Sequence, residues 1–278
     1  MLIRGDNFVI IGIFTGEPAG AFDGVFALDL TGPLFRSAFF SNFHHRRRAH
    51  PMPQHILQAF EEALRSLKQD VIKMASLAQQ NVTGAVHGLL ERDDDQCNRV
   101  IADDNEVDQL EKSIDQSGLE IIMKYSPVAT DLRRVFVAMK IGQQLERISD
   151  EAVTVARRAR KINSHAPVPE SQFIQSVYDL AVAMLRDAVV AFNVSDLKLA
   201  LALEERDDEL DRIYSEAIRR MIRRSEEDVQ HIDDYVDLMF IVRALERVGD
   251  HAVNIAEDIV YAETAHDIRH GGERPVIS

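Results

Sequence analysis

The clearest pattern in the chain is a stripe of apolar residues separated by alternating steps of three and four positions. It consists of Leu57, Phe60, Leu64, Leu67, Val71, Met74 and Ala78. This spacing places all the members on one face of an α-helix. A single amphipathic helix is not stable in water, so the apolar face must pack against neighbours. The stripe therefore predicts the first helix of a bundle.

Two further helices are predicted to follow the first. The pattern favours a second helix from about Asp95 to Lys124 and a third from about Val128 to Lys161. Pro127 separates them, because proline has no amide hydrogen and disfavours continuation of a helix. Asp131 would lie favourably near the positive end of the third helix. Short connections make successive helices antiparallel neighbours, so the sequence predicts an up-and-down three-helix bundle.

A segment of the third predicted helix occurs again one hundred residues later. Residues 145–156 (LERISDEAVTVA) and residues 245–256 (LERVGDHAVNIA) are identical at seven of twelve positions, and two more positions exchange Ile and Val. The same offset, without a gap, pairs Asp104 with Glu204 and Asp108 with Asp208. Two separate windows in one register predict an internal duplication.

The duplication predicts an all-α fold made of two tandem three-helix bundles. The second copy would contain helices near Glu170–Asn193, Ser195–Arg224 and Asp233–Ala262. Two prolines within Asn163–Pro169 make a helix unfavourable there, so the boundary is drawn at that segment. The predicted divisions are an extension at 1–51, a first bundle at 52–163, a linker at 164–169, a second bundle at 170–264 and a tail at 265–278.

The first fifty residues differ in composition from the rest. They contain eight of the thirteen Phe and six of the thirteen Gly, without a sustained helical period. No apolar run reaches the roughly 20 residues of a membrane-spanning helix. Five arginines and four acidic residues give them a charge of +1, whereas the other 228 residues hold 27 basic and 42 acidic residues. Two interpretations stay open: a poorly ordered extension upstream of a true start at Met52, or an arm that touches a membrane or a partner.

The charge balance narrows the possible partners. A formal net charge of −14 disfavours a nucleic-acid surface, which needs clustered Lys and Arg, and favours cations or basic protein surfaces. The single cysteine, Cys97, cannot form an intramolecular disulfide, so a reducing, cytoplasmic location is expected. The sequence shows no Gly-rich phosphate loop, Walker-type lysine or Ser/His/Asp arrangement, so direct nucleotide chemistry is unsupported. The paired helical carboxylates described next favour a regulator, and we expect a protein that is not an enzyme.

Paired carboxylates recur in both predicted copies. Glu146 and Asp150 are four residues apart and point the same way from the third helix, as do Glu246 and Asp250. The second helices add the pairs Asp104 with Asp108 and Glu204 with Asp208. If the second and third helices lie side by side, four carboxylates in each copy converge on a groove. Their repulsion must then be relieved by a cation, by protonation or by arginine.

The eight carboxylates are accordingly predicted to bind metal. Oxygen ligands suit Mg²⁺, Ca²⁺ or Mn²⁺ and are also compatible with iron, whereas zinc normally requires His or Cys. His251 follows Asp250, but its counterpart in the first copy is Glu151, so His251 is expected to be a bystander. The alternative is a solvated face on which Arg147 and Arg247 screen the acids; recurrence in both copies weighs against it.

Three stretches resemble the signatures of the PhoU family, the bacterial regulators of phosphate-specific transport. They are residues 131–133 (DLR), 145–150 (LERISD) and 245–257 (LERVGDHAVNIAE), and the resemblance extends from Met52 to about Ala262. Glu146, Asp150, Glu246 and Asp250 match the family's motifs directly. The four acids of the second helices match less securely.

The resemblance implies a pair of three-helix bundles that hold metal at their surface, in a cytoplasmic and usually dimeric protein. It also implies a regulator that couples the phosphate ABC transporter ATPase to a membrane sensor histidine kinase. Such a regulator keeps phosphate uptake and the starvation response off when phosphate is plentiful. Neither nucleic-acid binding nor membrane insertion is expected.

The chain departs from the family's pattern at three places. Thr154 stands where the second copy has Asn254, and Ser149 stands where the second copy has Gly249. The first copy is therefore expected to bind metal more weakly. Gln144 occupies a position at which the family often has an acidic residue.

Two other functions stay open. A ferritin-like di-iron enzyme would use inward-facing carboxylates with Glu-x-x-His motifs, and the chain has one such motif, from Glu263 to His266. A metal-free helical scaffold would bind partner helices through its acidic surface. Both are weaker than the regulator hypothesis.

Overall fold

A computed structural model describes residues 2–5, 8–11 and 54–269, in two separate units. The first unit contains a two-stranded antiparallel sheet of β1 (Leu2–Gly5) and β2 (Phe8–Ile11), with Leu2 opposite Ile11. This hairpin is an addition to the all-α prediction. The expectation of a poorly ordered extension or a mis-assigned start falls mainly on residues 12–53, which lie outside the described residues.

The second unit is helical and contains all the elements predicted by the apolar pattern. Two 3-10 turns, Pro169–Phe173 and Val229–His231, precede the first and third helices of the second copy. The described α-helices of this unit, in chain order, are α1 (Gln54–Leu90), α2 (Asp94–Tyr125), α3 (Ala129–Asn163), α4 (Ile174–Val194), α5 (Leu197–Leu201), α6 (Leu203–Glu227) and α7 (Ile232–Thr264). The predicted second helix of copy two is thus divided at Ala202 into α5 and α6.

The second helix of each copy begins in the same way. The Asp93 carboxylate accepts a hydrogen bond from the backbone N–H of Gln96 at 2.9 Å, and Asp196 accepts from Lys198 and Leu199 at 3.0 Å. An aspartate at this position pairs amide groups that have no partner within the helix. The residues before them, Arg92 and Ser195, both have a left-handed backbone. The two caps are 103 residues apart, not 100.

Buried positions confirm this offset along the second helices. Residues of α2 recur 103 positions later in α5 and α6, as Cys97 with Ala200, Val100 with Leu203, Val107 with Leu210 and Ile114 with Ala217. The third helices keep the offset of 100, as Leu145 with Leu245 and Ala152 with Ala252. The ungapped register predicted from the sequence therefore does not extend to the second helices. Between its second and third helices, copy two is therefore three residues shorter than copy one.

The two copies share one core. The third helices, α3 and α7, pack along each other. Helices α1 and α2 pack against α3, and helices α4 and α6 pack against α7. Ion pairs between Lys140 and Asp258, and between Arg158 and Asp237, link α3 to α7 beside buried residues such as Leu145. The described residues 54–269 consequently belong to one compact unit. The limits drawn between the two bundles stay a prediction.

The segment between the copies is fastened to the helices. Val168 is buried, and the His165 Nδ1 atom is 2.7 Å from Asp234 Oδ1. Arg92 donates hydrogen bonds to the carbonyl oxygens of Asn163 and His165, each at 2.6 Å. The predicted linker therefore has a fixed path. Across the described part of the chain, no helix combines the length and apolar character needed to cross a membrane.

Two acidic grooves as the candidate functional site

Groove 1 lies between α2 and α3 and contains Asp104, Asp108, Glu111, Glu146 and Asp150. Burial raises the pKa of Glu146 to about 7, and the charges of Asp150, Glu111 and Asp108 act in the same direction. Burial also raises the pKa of Asp104, with further contributions from Asp108 and Asp150. The two helices thus bring all four predicted carboxylates of the first copy into one electrostatic cluster.

Groove 2 lies between α6 and α7 and contains Asp207, Asp211, Glu246 and Asp250. Burial raises the pKa of Glu246 to about 7, followed by the charges of Asp250, Asp211 and Asp207. Burial raises the pKa of Asp207 to about 6, and Asp250 and Asp211 are its strongest charged neighbours. Groove 2 therefore repeats the electrostatic arrangement of groove 1.

The acids of α6 that enter groove 2 differ from those that the sequence predicted. The charges of Glu204 and Asp208 rank below those of Asp250 and Asp211 in raising the pKa of Asp207. The pKa of Glu246 is raised by Asp211 and Asp207, and neither Glu204 nor Asp208 is among its main causes. Asp207 and Asp211 follow Asp104 and Asp108 by 103 residues, which is the structural offset of these helices. Sequence reasoning with an offset of 100 missed Asp207, and it placed Asp211 on the same side of the helix without naming it as a metal ligand. The capping residues Asp93 and Asp196, which are 103 residues apart, would have indicated the correct offset.

A polar chain holds one carboxylate of groove 1 in place. The Asn81 side chain donates to the Ser149 hydroxyl at 2.9 Å, and that hydroxyl donates to Asp104 Oδ1 at 2.8 Å. Asn81 and Ser149 are both buried. The hydrogen bond from Ser149 lowers the pKa of Asp104 and opposes the effect of burial. One oxygen of Asp104 is therefore already engaged.

Groove 2 has no equivalent of this chain. The equivalent residues of the second copy are both apolar: Met184 follows Asn81 by 103 residues, and Gly249 follows Ser149 by 100. A Cβ atom at Gly249 would lie 2.1 Å from Leu210 Cδ2. Any larger residue at position 249 would require the Leu210 side chain to move. Asp207 consequently lacks a serine hydroxyl from the third helix.

The arginines of the motifs compensate the acids only in part. Arg247 Nη1 lies 2.9 Å from Glu151 Oε1, so it links α7 to α3. Arg147 lowers the pKa of Glu146, but as the smallest of the contributing causes. Both arginines line an open cavity of about 360 Å³ beside Asp104 and Asp150. A face fully neutralised by local salt bridges is therefore a poor description of groove 1.

His251 and Gln144 meet at the contact between the copies. The His251 ring donates from Nδ1 to Gln144 Oε1 at 2.8 Å. His251 is buried, and burial lowers its pKa to about 4. The ring is therefore neutral, and its Nε2 atom has no hydrogen-bond partner among the described residues. Its direct partner is the amide of Gln144 in α3. The bystander role of His251 stays a prediction.

The carboxylate groups of the two grooves are suitable ligands for a metal ion, but their present positions are too far apart to hold one. Among the residues that the structure describes, no three His, Cys, Asp or Glu side chains are grouped closely enough to hold a metal ion. The available donors are carboxylate oxygens, which suit hard cations. To bind one ion, the carboxylates of a groove would have to turn toward one another, which a change of rotamer allows. Metal binding by the predicted residues therefore stays a prediction.

Comparison with known families identifies the repeated unit. The family model described as "PhoU domain" matches the chain twice, at residues 71–159 and 174–259. Each match contains the third-helix carboxylate pair of one groove. The two matches together cover more than half of the chain.

Known proteins of similar sequence extend over most of the chain. The "Phosphate-specific transport system accessory protein PhoU homolog" of Pseudomonas putida is 33% identical over 222 residues, which is 80% of this chain and 87% of that protein. The "Phosphate-specific transport system accessory protein PhoU" of Serratia marcescens is 33% identical over 219 residues, covering 79% of this chain and 90% of its own length.

Solved structures share the architecture. The crystal structure of PhoU from Pseudomonas aeruginosa has a TM-score of 0.72 at 31% identity and covers 74% of this chain and 99% of its own. The structure of the phosphate transport system regulatory protein PhoU from Streptococcus pneumoniae has a TM-score of 0.69 at 23% identity, with 75% and 98% coverage. The second comparison supports the fold alone.

Proposed function

Since this chain belongs to the PhoU family, we propose that it is an accessory regulator of a phosphate transport system. In this role it keeps phosphate uptake and the phosphate-starvation response low when phosphate is plentiful. The main support is the double match to the PhoU domain, each half of which contains one acidic groove. The proposed partners are the ATPase of the phosphate ABC transporter and a membrane sensor histidine kinase. The proposed location is the cytoplasm, and the proposed assembly is a homodimer.

Each acidic groove is proposed to hold a hard cation, such as Mg²⁺, Mn²⁺, Ca²⁺ or an iron ion. Glu146 and Asp150, with Asp104 and Asp108, would hold it in groove 1. Glu246 and Asp250, with Asp207 and Asp211, would hold it in groove 2. The support is electrostatic: burial, and after it the charges of neighbouring carboxylates, raises the pKa values of Glu146 and Glu246 to about 7. A bound cation would supply positive charge there.

The contacts of Glu263 and His266 weigh against a ferritin-like di-iron enzyme. The only Glu-x-x-His sequence of the chain, from Glu263 to His266, does not form a metal motif. Glu263 binds Arg134 through Oε2 at 3.0 Å and accepts a hydrogen bond from Ser195 at 3.1 Å. His266 bonds to Thr264 through its ring and its amide. A ferritin-like di-iron enzyme would need that glutamate and histidine as inward-facing ligands.

A metal-free scaffold is the second candidate. The observation that favours it is the separation of the carboxylates, of which no three are grouped tightly enough for a metal ion among the described residues. In that case the grooves would attract basic segments of partner proteins directly. Metal analysis of dialysed protein separates the two candidates.

Complementation tests the regulatory role. A bacterium that lacks its own PhoU protein would receive the full chain, with phosphate uptake and a starvation-promoter reporter as readouts. We expect the chain to lower both in phosphate-rich medium. A variant with Glu146→Gln, Asp150→Asn, Glu246→Gln and Asp250→Asn should lose this effect while remaining folded by circular dichroism. Full uptake and reporter activity with abundant wild-type protein would contradict the proposal.

A further inference from the structure

Five large apolar side chains are exposed at the end of the α2–α3 hairpin. Met123 and Val128 are 74% and 73% exposed, and the other three recur in the second copy. Leu119 on α2 is 52% exposed, and Leu132 and Phe136 on α3 are 40% and 51% exposed. We call these three residues apolar triad 1. Exposed apolar side chains that occur singly are ordinary on a protein surface, but a contiguous group marks an interaction surface.

The second copy has the same group at equivalent positions. Ile222 on α6 is 44% exposed, and Ile232 and Val236 on α7 are 47% and 43% exposed. We call these residues apolar triad 2. Ile222 follows Leu119 by 103 residues, and the other two follow their counterparts by 100, which are the structural offsets of these helices. Random scatter of apolar residues would not repeat at three positions with two different offsets.

Each triad continues the face that contains the acids. In α2, Leu119 comes eleven residues after Asp108, which is about three helical turns, so both lie on the same face. In α3, Leu132 precedes Glu146 by fourteen residues and Phe136 precedes it by ten. At about 1.5 Å per residue these separations are roughly 15–20 Å. Each hairpin therefore presents a surface that is apolar near its tip and acidic farther along.

We propose that each hairpin binds an amphipathic helix of a partner protein, whose large apolar residues are followed by Lys or Arg about 15–20 Å away. The apolar end would cover triad 1 or triad 2, and the basic end would take the place of the bound cation over groove 1 or groove 2. A groove between two antiparallel helices accepts a third helix through residues spaced three and four apart. The inference rests on the proposed function and adds the chemistry of the segment that docks.

The charges favour this partner over two others. A second copy of the chain, docked face to face, would place acid on acid if parallel and acid on apolar side chains if antiparallel. An anionic membrane would be repelled by the carboxylates of groove 1 and groove 2. A basic and apolar helix satisfies both parts of the surface.

Synthetic helical peptides test the proposal with the full chain. The probes have about 22 residues, with leucines at helical spacing in one half and lysines in the other, made in both orders; such a helix is about 33 Å long. Calorimetry with EDTA present should show two peptides bound per chain. Replacing the lysines by glutamate, or the leucines by serine, should weaken binding at least tenfold.

Matched variants locate the binding surface. Leu132→Ser and Phe136→Ser with Ile232→Ser and Val236→Ser should weaken binding at least tenfold. The control is Val190→Ser with Val194→Ser, because these residues are 45% and 63% exposed on α4, outside both triads. Equal loss in both variants, no binding of either peptide order, or preferential binding to vesicles of phosphatidylserine would overturn the proposal. Peptide binding without complementation would instead contradict only the regulatory function.

Discussion

The two grooves differ most at one residue, Ser149 in groove 1 and Gly249 in groove 2. Ser149 accepts from Asn81 and donates to Asp104, whereas Gly249 makes room for Leu210. The sequence revealed the difference between the two positions. It did not reveal the consequences, because Asn81 lies 68 residues away in another helix. Only packing brings such residues together.

Ser149→Ala should destabilise the protein. The substitution leaves the buried Asn81 amide without its partner, which costs about 1–3 kcal/mol. Urea unfolding should therefore show a lower midpoint. The double variant Asn81→Met with Ser149→Gly copies Met184 and Gly249 of the other copy and should recover part of the loss. An unchanged midpoint for Ser149→Ala would show that the hydrogen-bonded chain has no role in stability.

Gly249→Ala should also destabilise the fold. The added Cβ would lie 2.1 Å from Leu210 Cδ2, so packing must change at a cost of about 1–3 kcal/mol. Gly142→Ala is the matched control, because its Cβ would lie 3.4 Å from Ile114, an ordinary contact. Thermal unfolding should separate the two variants. Equal melting temperatures would contradict the close approach of α6 to α7.

At the scale of helices, the sequence predicted the elements well and the register of one pair wrongly. Apolar periodicity and prolines located α2, α3, α4 and α7 to within a few residues, whereas the stripe indicated α1 without predicting either of its ends. The three-residue offset in α6 escaped because three residues turn a helix by about 300°, only 60° short of a full turn. An apolar stripe therefore looks nearly the same in both registers. Capping and burial decide between them.

Substitutions on α6 test the corrected register. Asp207→Asn with Asp211→Asn should lower the pKa of Glu246, because these two acids help to raise it to about 7. Glu204→Gln with Asp208→Asn should change it much less. Carbon-detected NMR titration of the glutamate carboxyl groups measures both effects. A larger shift in the second variant would restore the register predicted from the sequence.

At the largest scale, the helical unit combines two copies around one core. Duplication predicted the all-α architecture, and the matching grooves followed from it. The shared α3–α7 core could not be predicted in this way, because ion pairs such as Lys140 with Asp258 join residues more than one hundred positions apart. The sequence also gave no sign of the β1–β2 hairpin. Local patterns predict elements better than the contacts between them.

Stability should depend on pH in cation-free protein. The pKa values of Glu146 and Glu246 are about 7 in the folded chain against an ordinary 4.5, so the folded state binds more protons between these values. Stability should therefore fall as pH rises from about 4.5 to 7 and then level off. Melting temperatures in EDTA should show this trend, and Glu146→Gln with Glu246→Gln should reduce it. A wild-type slope equal to that of the variant would contradict the assignment.

Calorimetric titration with Mn²⁺ tests the central claim that cations compensate both grooves. Wild-type protein freed of metal with EDTA should bind at least one ion in each groove at pH 7.5, and affinity should fall as the pH drops below about 7 because protons compete for Glu146 and Glu246. The variant with Glu146→Gln, Asp150→Asn, Glu246→Gln and Asp250→Asn should show no such binding. Binding of equal stoichiometry and affinity in the two proteins would contradict the claim.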